Sequence, residues 1–239
     1  MNLKVIAYAR NGHTDKFGIP RQSRDESPIL TRIVFEPEYN VREALRGIEG
    51  YNHLWLIWGF SEAEGWSPTV RPPRLGGNKR MGVFATRSPF RPNPIGLSSV
   101  KLVEIKSPES GAKTMELIVS GADVLDGTPI YDIKPYLSFS DSHEDARNGF
   151  AEESKDHRLE VDWSRVNGEL SLVNEECQDE AWKRDVEYIL SQDPRPGYQN
   201  DEREYKLDYA GWTVAFRVES NSRVLVQRVV PMIGVSHPI

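Results

Sequence analysis

MGVFATRSPFRPNPIGLSSVKLVEI, residues 81–105, places two short β-type runs on either side of a loop that carries three prolines. The runs are Met81–Thr86 and Ser98–Ile105, rich in valine, leucine and other strand formers. Pro89, Pro92 and Pro94 rule out a helix between them and push the residue before each toward extended backbone. The same design recurs along the chain. Leu3–Arg10, the almost wholly apolar His53–Phe60 and Thr114–Ser120 read as further strands, and residues 11–30 (NGHTDKFGIPRQSRDESPIL) as a loop punctuated by glycine and proline. Asn40, with Glu43 three positions on, predicts a capped short helix whose apolar face is Val41, Ala44, Leu45 and Ile48. Many short strands with long proline- and glycine-rich connections argue for a mostly β protein, a barrel or a sandwich.

Composition changes at residues 141–160 (DSHEDARNGFAEESKDHRLE), where ten of twenty residues are charged. A linker is expected there, between a larger β domain over 1–140 and a smaller α+β domain over 161–239. Within the smaller one, Cys177–Gln192 carries Trp182, Val186, Ile189 and Leu190 at helical spacing, and Asp193-Pro194 ends it. Trp212, Val214, Phe216 and Val218 then alternate with polar positions. Ser220-Asn221-Ser222 turns, and Arg223–Val230 returns as the second arm of a hairpin.

The charge distribution is uneven. The 239 residues sum to a net charge of −6, yet Gly65–Val103 holds seven basic side chains and no acid. The rest of the chain holds 23 basic and 36 acidic residues. A positive segment on an acidic background points to an anion-facing surface. Its centre, RPPRLGGNKRMGVFATRSPFRPNPIG (71–96), sets arginines beside prolines. Arginine forks on preset backbone lose less entropy when they bind phosphate, carboxylate or a base edge.

Other chemistries find little support. No G-x-G-x-x-G or G-x-x-x-x-G-K-[ST] is present, so a nucleotide-like ligand would not be held in the Rossmann or P-loop manner. His13, His53, His143, His157 and His237 are scattered singly, without metal-ligand spacing, and no metal is expected. The longest apolar run, Leu54–Phe60, is far too short to span a membrane. The N-terminus lacks the apolar core of a signal peptide. Cys177 is the sole cysteine, which excludes an internal disulfide and suits a cytoplasmic location. Three loops look purposeful. Ile19–Ser23 offers an arginine and an amide, Val124–Ile130 puts Asp126 in a tight D-G-T-P turn, and Asp193–Tyr198 sets Arg195 between two prolines with an aromatic close by.

GVFATRSPFRPNPIGLS, preceded by VRPPRLGG and followed by DVLDGTPIYDIKPY and QDPRPGY, resembles the TsaA-like TrmO family of tRNA methyltransferases. The resemblance covers about residues 3–140 and continues into the C-terminal part. It implies a small β-barrel of a non-Rossmann S-adenosylmethionine-dependent class. It also implies a homodimer and methylation of N6 of threonylcarbamoyladenosine beside the tRNA anticodon. Family cofactor contacts fall on Pro20, Arg21 and Gln22, on Ser61 and Glu62, on Arg87, on Leu97, and on Asp126, Gly127, Thr128 and Pro129. Ser61-Glu62 stands where some bacterial relatives carry His-Gln.

On this reading Arg71, Arg74, Lys79 and Arg80 face tRNA. Arg87 and Arg91 bind the cofactor carboxylate, the threonyl carboxylate or phosphate. Arg195 and Tyr198 engage the anticodon-loop nucleotide, Tyr198 by stacking. The target nitrogen must lose a proton, with Asp126, Asp193 or the substrate's own carboxylate as candidate base. The alternatives are an enzyme of the same cofactor class acting on a small molecule or protein, and a non-catalytic RNA-binding module.

Overall fold

Leu54, Leu56 and Trp58 point to one side of the strand His53–Gly59, and their burial organises the larger of two cores. The structure, a computed structural model, describes residues 2–20, 22–72, 79–108, 114–154, 158–166, 180–195, 203–219 and 222–232. Its first part is a closed barrel. In chain order the strands are β1 (Ala7–Arg10), β2 (Leu30–Phe35), β3 (His53–Gly59), the short pair β4 (Thr69–Val70) and β5 (Met81–Gly82), β6 (Ile95–Lys106), β7 (Glu116–Ser120) and β8 (Pro129–Pro135). Around the barrel they run β1-β2-β7-β6-β3-β8, every neighbour antiparallel, while β4 and β5 form a separate ribbon. Closure removes the unpaired edges that an open sheet of this kind would present. The interior is filled by alternate residues of each strand, among them Ala7, Ala9, Ile33, Val100, Leu117, Val119 and Ile130.

The second part is a sheet in the order β10 (Tyr205–Tyr209), β11 (Trp212–Glu219), β12 (Arg223–Pro231) and β9 (Glu160–Asp162), the last pairing parallel to β12. One helix, Glu180–Ser191, lays Trp182, Val186, Ile189 and Leu190 against Leu207, Val214 and Phe216. Those are the four apolar positions whose spacing predicted a helix over 177–192. Residues 177–179 lie outside the described residues, as do 220–221 of the expected hairpin turn. The charged segment 141–160 contains a 3-10 turn, Gly149–Ser154, and ends at the first residue of β9.

Several local expectations are corrected. Asn40 does not cap a helix. Its amide instead pairs at both ends with the main chain of Met115, Nδ2 donating to the carbonyl at 3.1 Å and Oδ1 accepting from the N–H at 3.1 Å. The following residues form 3-10 turns at Arg42–Leu45 and Ile48–Gly50, divided by Gly47 in a left-handed conformation (φ 89°). Met81–Thr86 is a strand only at its first two residues, because Val83–Ala85 turns and the Thr86 hydroxyl donates to the Val83 carbonyl at 2.8 Å. β6 begins three residues earlier than the alternation suggested. Strands β2, β8 and β10 are further elements.

The two parts meet along the loop 11–29. Ile29 is buried in the second core, Phe17 packs on it, and His13 bridges to Tyr209. The loop that follows the first strand is therefore anchored by the C-terminal sheet rather than by the barrel alone.

Candidate active site

Gly96 on β6 leaves room beside the barrel interior, and the indole of Trp58 occupies it, since a Cβ there would fall well inside 3.0 Å of the ring. Trp58 in turn donates its Nε1–H to Ser98 Oγ at 2.8 Å. These inward residues, with Thr128 just before β8, stand at one end of the barrel beside a cavity of about 650 Å³. Its walls come from segments far apart in sequence. The loop after β1 gives Lys16, Ile19, Pro20 and Gln22, the end of β3 and its loop give Trp58, Phe60, Ser61 and Glu62, and the proline loop gives Arg87, Phe90 and Arg91. The strand after it gives Ile95 and Leu97, and the turn before β8 gives Asp123, Val124 and Leu125.

The structure thus gathers Pro20, Gln22, Ser61, Glu62, Arg87, Arg91, Leu97 and Thr128 of the expected site. Gln22 accepts a hydrogen bond from Arg87 Nη1, which ties the first loop to the proline loop. Arg91 lines the cavity, but its Nη1 donates to the carbonyls of Val83 at 3.1 Å and Thr86 at 2.7 Å. It clamps the turn that presents Arg87. Lys16 Nζ donates to the Glu62 carbonyl at 3.3 Å and lies 3.9 Å from its carboxylate, so the Ser61-Glu62 loop closes toward the first loop.

The D-G-T-P turn sits behind this wall. Gly127 takes φ 78°, its N–H bonds Ala9 O, and the Asp126 N–H bonds His13 O. Asp126 accepts from the Asn11 N–H at 3.1 Å and faces Arg10 at 3.4 Å. Asp126, Gly127 and Pro129 do not line the cavity, whereas Thr128 does.

Asp193 and Arg195 are not brought to the cavity either. Asp193 stops the helix in a left-handed conformation (φ 49°), a backbone Asp adopts more readily than most residues. Its carboxylate takes Arg195 Nε at 2.8 Å and Nη2 at 2.9 Å, and Arg195 is buried. The D-P-R run therefore spends its arginine fork at least partly on holding its own turn. Arg71, Lys79 and Arg80 are exposed and do not line the cavity, Arg80 donating to Thr69 Oγ1 at 2.7 Å. Arg21, Arg74 and Tyr198 lie outside the described residues.

Sequence reasoning missed Asp123. Ser98 hydrogen bonds to its Oδ1, and burial pushes its carboxyl above the ordinary range, opposed by the Ser98 bond, main-chain N–H groups and the charge of Arg87. Only the D-x-x-D spacing ahead of G-T-P hinted at it. Among the described residues no cluster of three His, Cys, Asp or Glu could hold a metal ion, and no helix is long and apolar enough to cross a membrane.

A cavity of this size, with indole and phenyl walls and with Arg87, Arg91, Glu62 and Asp123 among its lining residues, fits a nucleoside-sized ligand with a charged end. The family model for the tRNA-methyltransferase O N-terminal domain matches residues 8–142, and that for the TrmO C-terminal domain matches 156–232. The tRNA (adenine(37)-N6)-methyltransferase of Escherichia coli (strain K12) is 40% identical over 218 residues, covering 90% of this chain and 91% of that protein. The protein of the same name from Eikenella corrodens is 45% identical over 187 residues, covering 77% and 99%. A crystal structure of TrmO from Pseudomonas aeruginosa shares the fold with a TM-score of 0.76 at 30% identity, over 96% of this chain and 98% of that one. A barrel whose cofactor-sized cavity is walled by the arginine-proline loop, joined to a matching C-terminal sheet, places the chain in the tRNA-methyltransferase O family.

Proposed function

We propose that the protein is an S-adenosylmethionine-dependent enzyme that methylates N6 of threonylcarbamoyladenosine beside the anticodon of tRNA. The observation that carries this reading is the convergence of Pro20, Gln22, Ser61, Glu62, Arg87, Leu97 and Thr128 on one cavity. When bound, the cofactor supplies an electrophilic methyl group on a sulfonium. The chain's task is to orient that group and to keep water away from it. Trp58 and Phe60, in edge contact at 4.4 Å, exclude solvent on one wall. Gln22 and Arg91 hold Arg87 from two sides, through its side chain and through the turn before it, so that its guanidinium can meet a carboxylate.

The barrel is proposed to hold the cofactor, and Arg71, Arg74, Lys79 and Arg80 to meet tRNA phosphates. The C-terminal part, through Arg195 and Tyr198, is proposed to add a second RNA contact. The candidate bases are Asp126, Asp193 and the substrate's own carboxylate, and neither aspartate lines the cavity. Turnover of Asp126→Asn and Asp193→Asn on modified tRNA at saturating cofactor decides this, since wild-type rates in both remove them as bases. The active form is proposed to be a homodimer. Leu97, Phe90 and Ile95 of the cavity wall are 54%, 46% and 38% exposed, an apolar rim that a second copy would cover. The reaction and the lone Cys177 suit a cytoplasmic setting.

The test is transfer of labelled methyl from S-adenosylmethionine to tRNA from a strain lacking this gene. Nucleoside mass spectrometry should find the methylated threonylcarbamoyladenosine. Label in a protein or small molecule, but not in tRNA, would move the substrate class. Absence of cofactor binding in calorimetry would leave an RNA-binding module.

A further inference from the structure

Asp123 faces the cavity with its hydrogen bonding fixed by two neighbours. The Trp58 indole has only a donor, and it points that donor at Ser98 Oγ over 2.8 Å. The single hydroxyl proton of Ser98 is therefore directed to Asp123 Oδ1. Main-chain N–H groups of Asp123 and Ser23 also favour the carboxylate. The Ser98 hydroxyl and these N–H groups all donate to Asp123, so the side chain is arranged as an acceptor, and these contacts oppose the burial that pushes its carboxyl above the ordinary range. A sheltered carboxylate calls for a cation. Arg87 lies near enough to act on it electrostatically, but Arg87 Nη1 is turned to Gln22 Oε1. Gln22 and Ser23 are consecutive, so one loop touches both charges and holds them at neighbouring places on the same cavity.

We propose that Asp123 binds the α-ammonium group of the cofactor's amino-acid end while Arg87 takes its carboxylate, the two side chains forming a clamp for a zwitterion. An ammonium brings three N–H donors to a site already built to accept, whereas a sulfonium brings none. This rests on the cofactor assignment above and adds the residue that reads the amine.

Calorimetry with three ligands tests it on the full chain. S-adenosylhomocysteine carries the zwitterion without the sulfonium, its deamino analogue keeps the carboxylate only, and methylthioadenosine lacks both charges. Asp123→Asn keeps an oxygen for Ser98, and its fold is checked by circular dichroism. The variant should bind S-adenosylhomocysteine roughly 10- to 150-fold more weakly than wild type, the range for one charged hydrogen bond, with the other two ligands unchanged. Equal weakening of all three would overturn the proposal in favour of a structural role. Unchanged affinity for S-adenosylhomocysteine would overturn it too, and combined with lost turnover on tRNA would make Asp123 the base instead. Wild-type protein that binds none of the three would instead overturn the cofactor assignment itself.

Discussion

The ring of Phe17 lies parallel to that of Tyr205, 3° from coplanar with centroids 6.3 Å apart, and so fastens the loop that carries Pro20 and Gln22 to the C-terminal sheet. Phe17 also packs on Phe216 at 6.3 Å. The cavity wall is thus supported by a unit none of whose described residues lines the cavity. Phe17→Ala should cost about 1–3 kcal/mol of stability. It should also weaken binding of S-adenosylhomocysteine by roughly tenfold through loss of preorganisation. Thermal melts and calorimetry on the same preparation check both, and unchanged affinity would show that the loop holds its shape without the stack.

Gly96→Ala probes the opposite wall. The new methyl would collide with the Trp58 ring, which bonds Ser98 and cannot retreat without breaking that bond. The expected result is a loss of about 1–3 kcal/mol from overpacking. Quenching of Trp58 fluorescence by bound ligand should fall along with affinity. A variant with wild-type melting temperature and affinity would show that Trp58 moves freely.

His13 sets a pH dependence. It is buried against Tyr209, its ring centroid 5.3 Å away, and burial lowers its pKa from 6.5 to about 4. The unfolded chain therefore binds the proton more readily than the folded one between those values. Stability should be fully present above pH 6.5 and fall as pH drops toward 4, by on the order of 2–3 kcal/mol. His13→Phe keeps an aromatic ring and removes the titration. Its melting temperature should change less than that of the wild type between pH 7 and pH 5, and parallel curves would assign the acid sensitivity elsewhere.

Exposed Arg71, Lys79 and Arg80 should act through counterion release. Replacing all three with alanine should flatten the slope of log K for tRNA against log salt by about two units on the single-strand scale. Cofactor affinity should stay the same, because none of the three lines the cavity. An unchanged slope would assign them to contacts within the protein.

The residues that alternate or recur most regularly were legible from the chain. The strand β3, the hairpin β11–β12 and the helix Glu180–Ser191 follow from local spacing, because each buries one face and exposes or shares the other, while β7 is buried along its whole length. β2 was obscured by Thr31 turned inward and Arg32 outward, where Arg32 meets Glu116 of β7 in a two-bond pair at 2.8 and 2.9 Å. β8 was hidden inside a motif that reads as loop chemistry. Its first residues continue the D-G-T-P turn, and its pairing with β1 and β3 depends on closing the barrel.

The β character, the concentration of arginine on proline-stiffened backbone, the lack of a Rossmann glycine signature and the family resemblance are all readable along the chain, since they are properties of neighbouring residues. Tertiary structure decided which of those residues share a cavity. Arg87 and Leu97 meet Gln22 and Thr128 there, while Asp126, Asp193 and Arg195 stay outside it. Asp123 gains its character only when β3 and β6 bring Trp58 and Ser98 beside it, a chain of donors assembled across 65 positions of sequence. Hydrogen-bond direction and desolvation depend on what surrounds an atom in space, and a linear order of residues does not contain that.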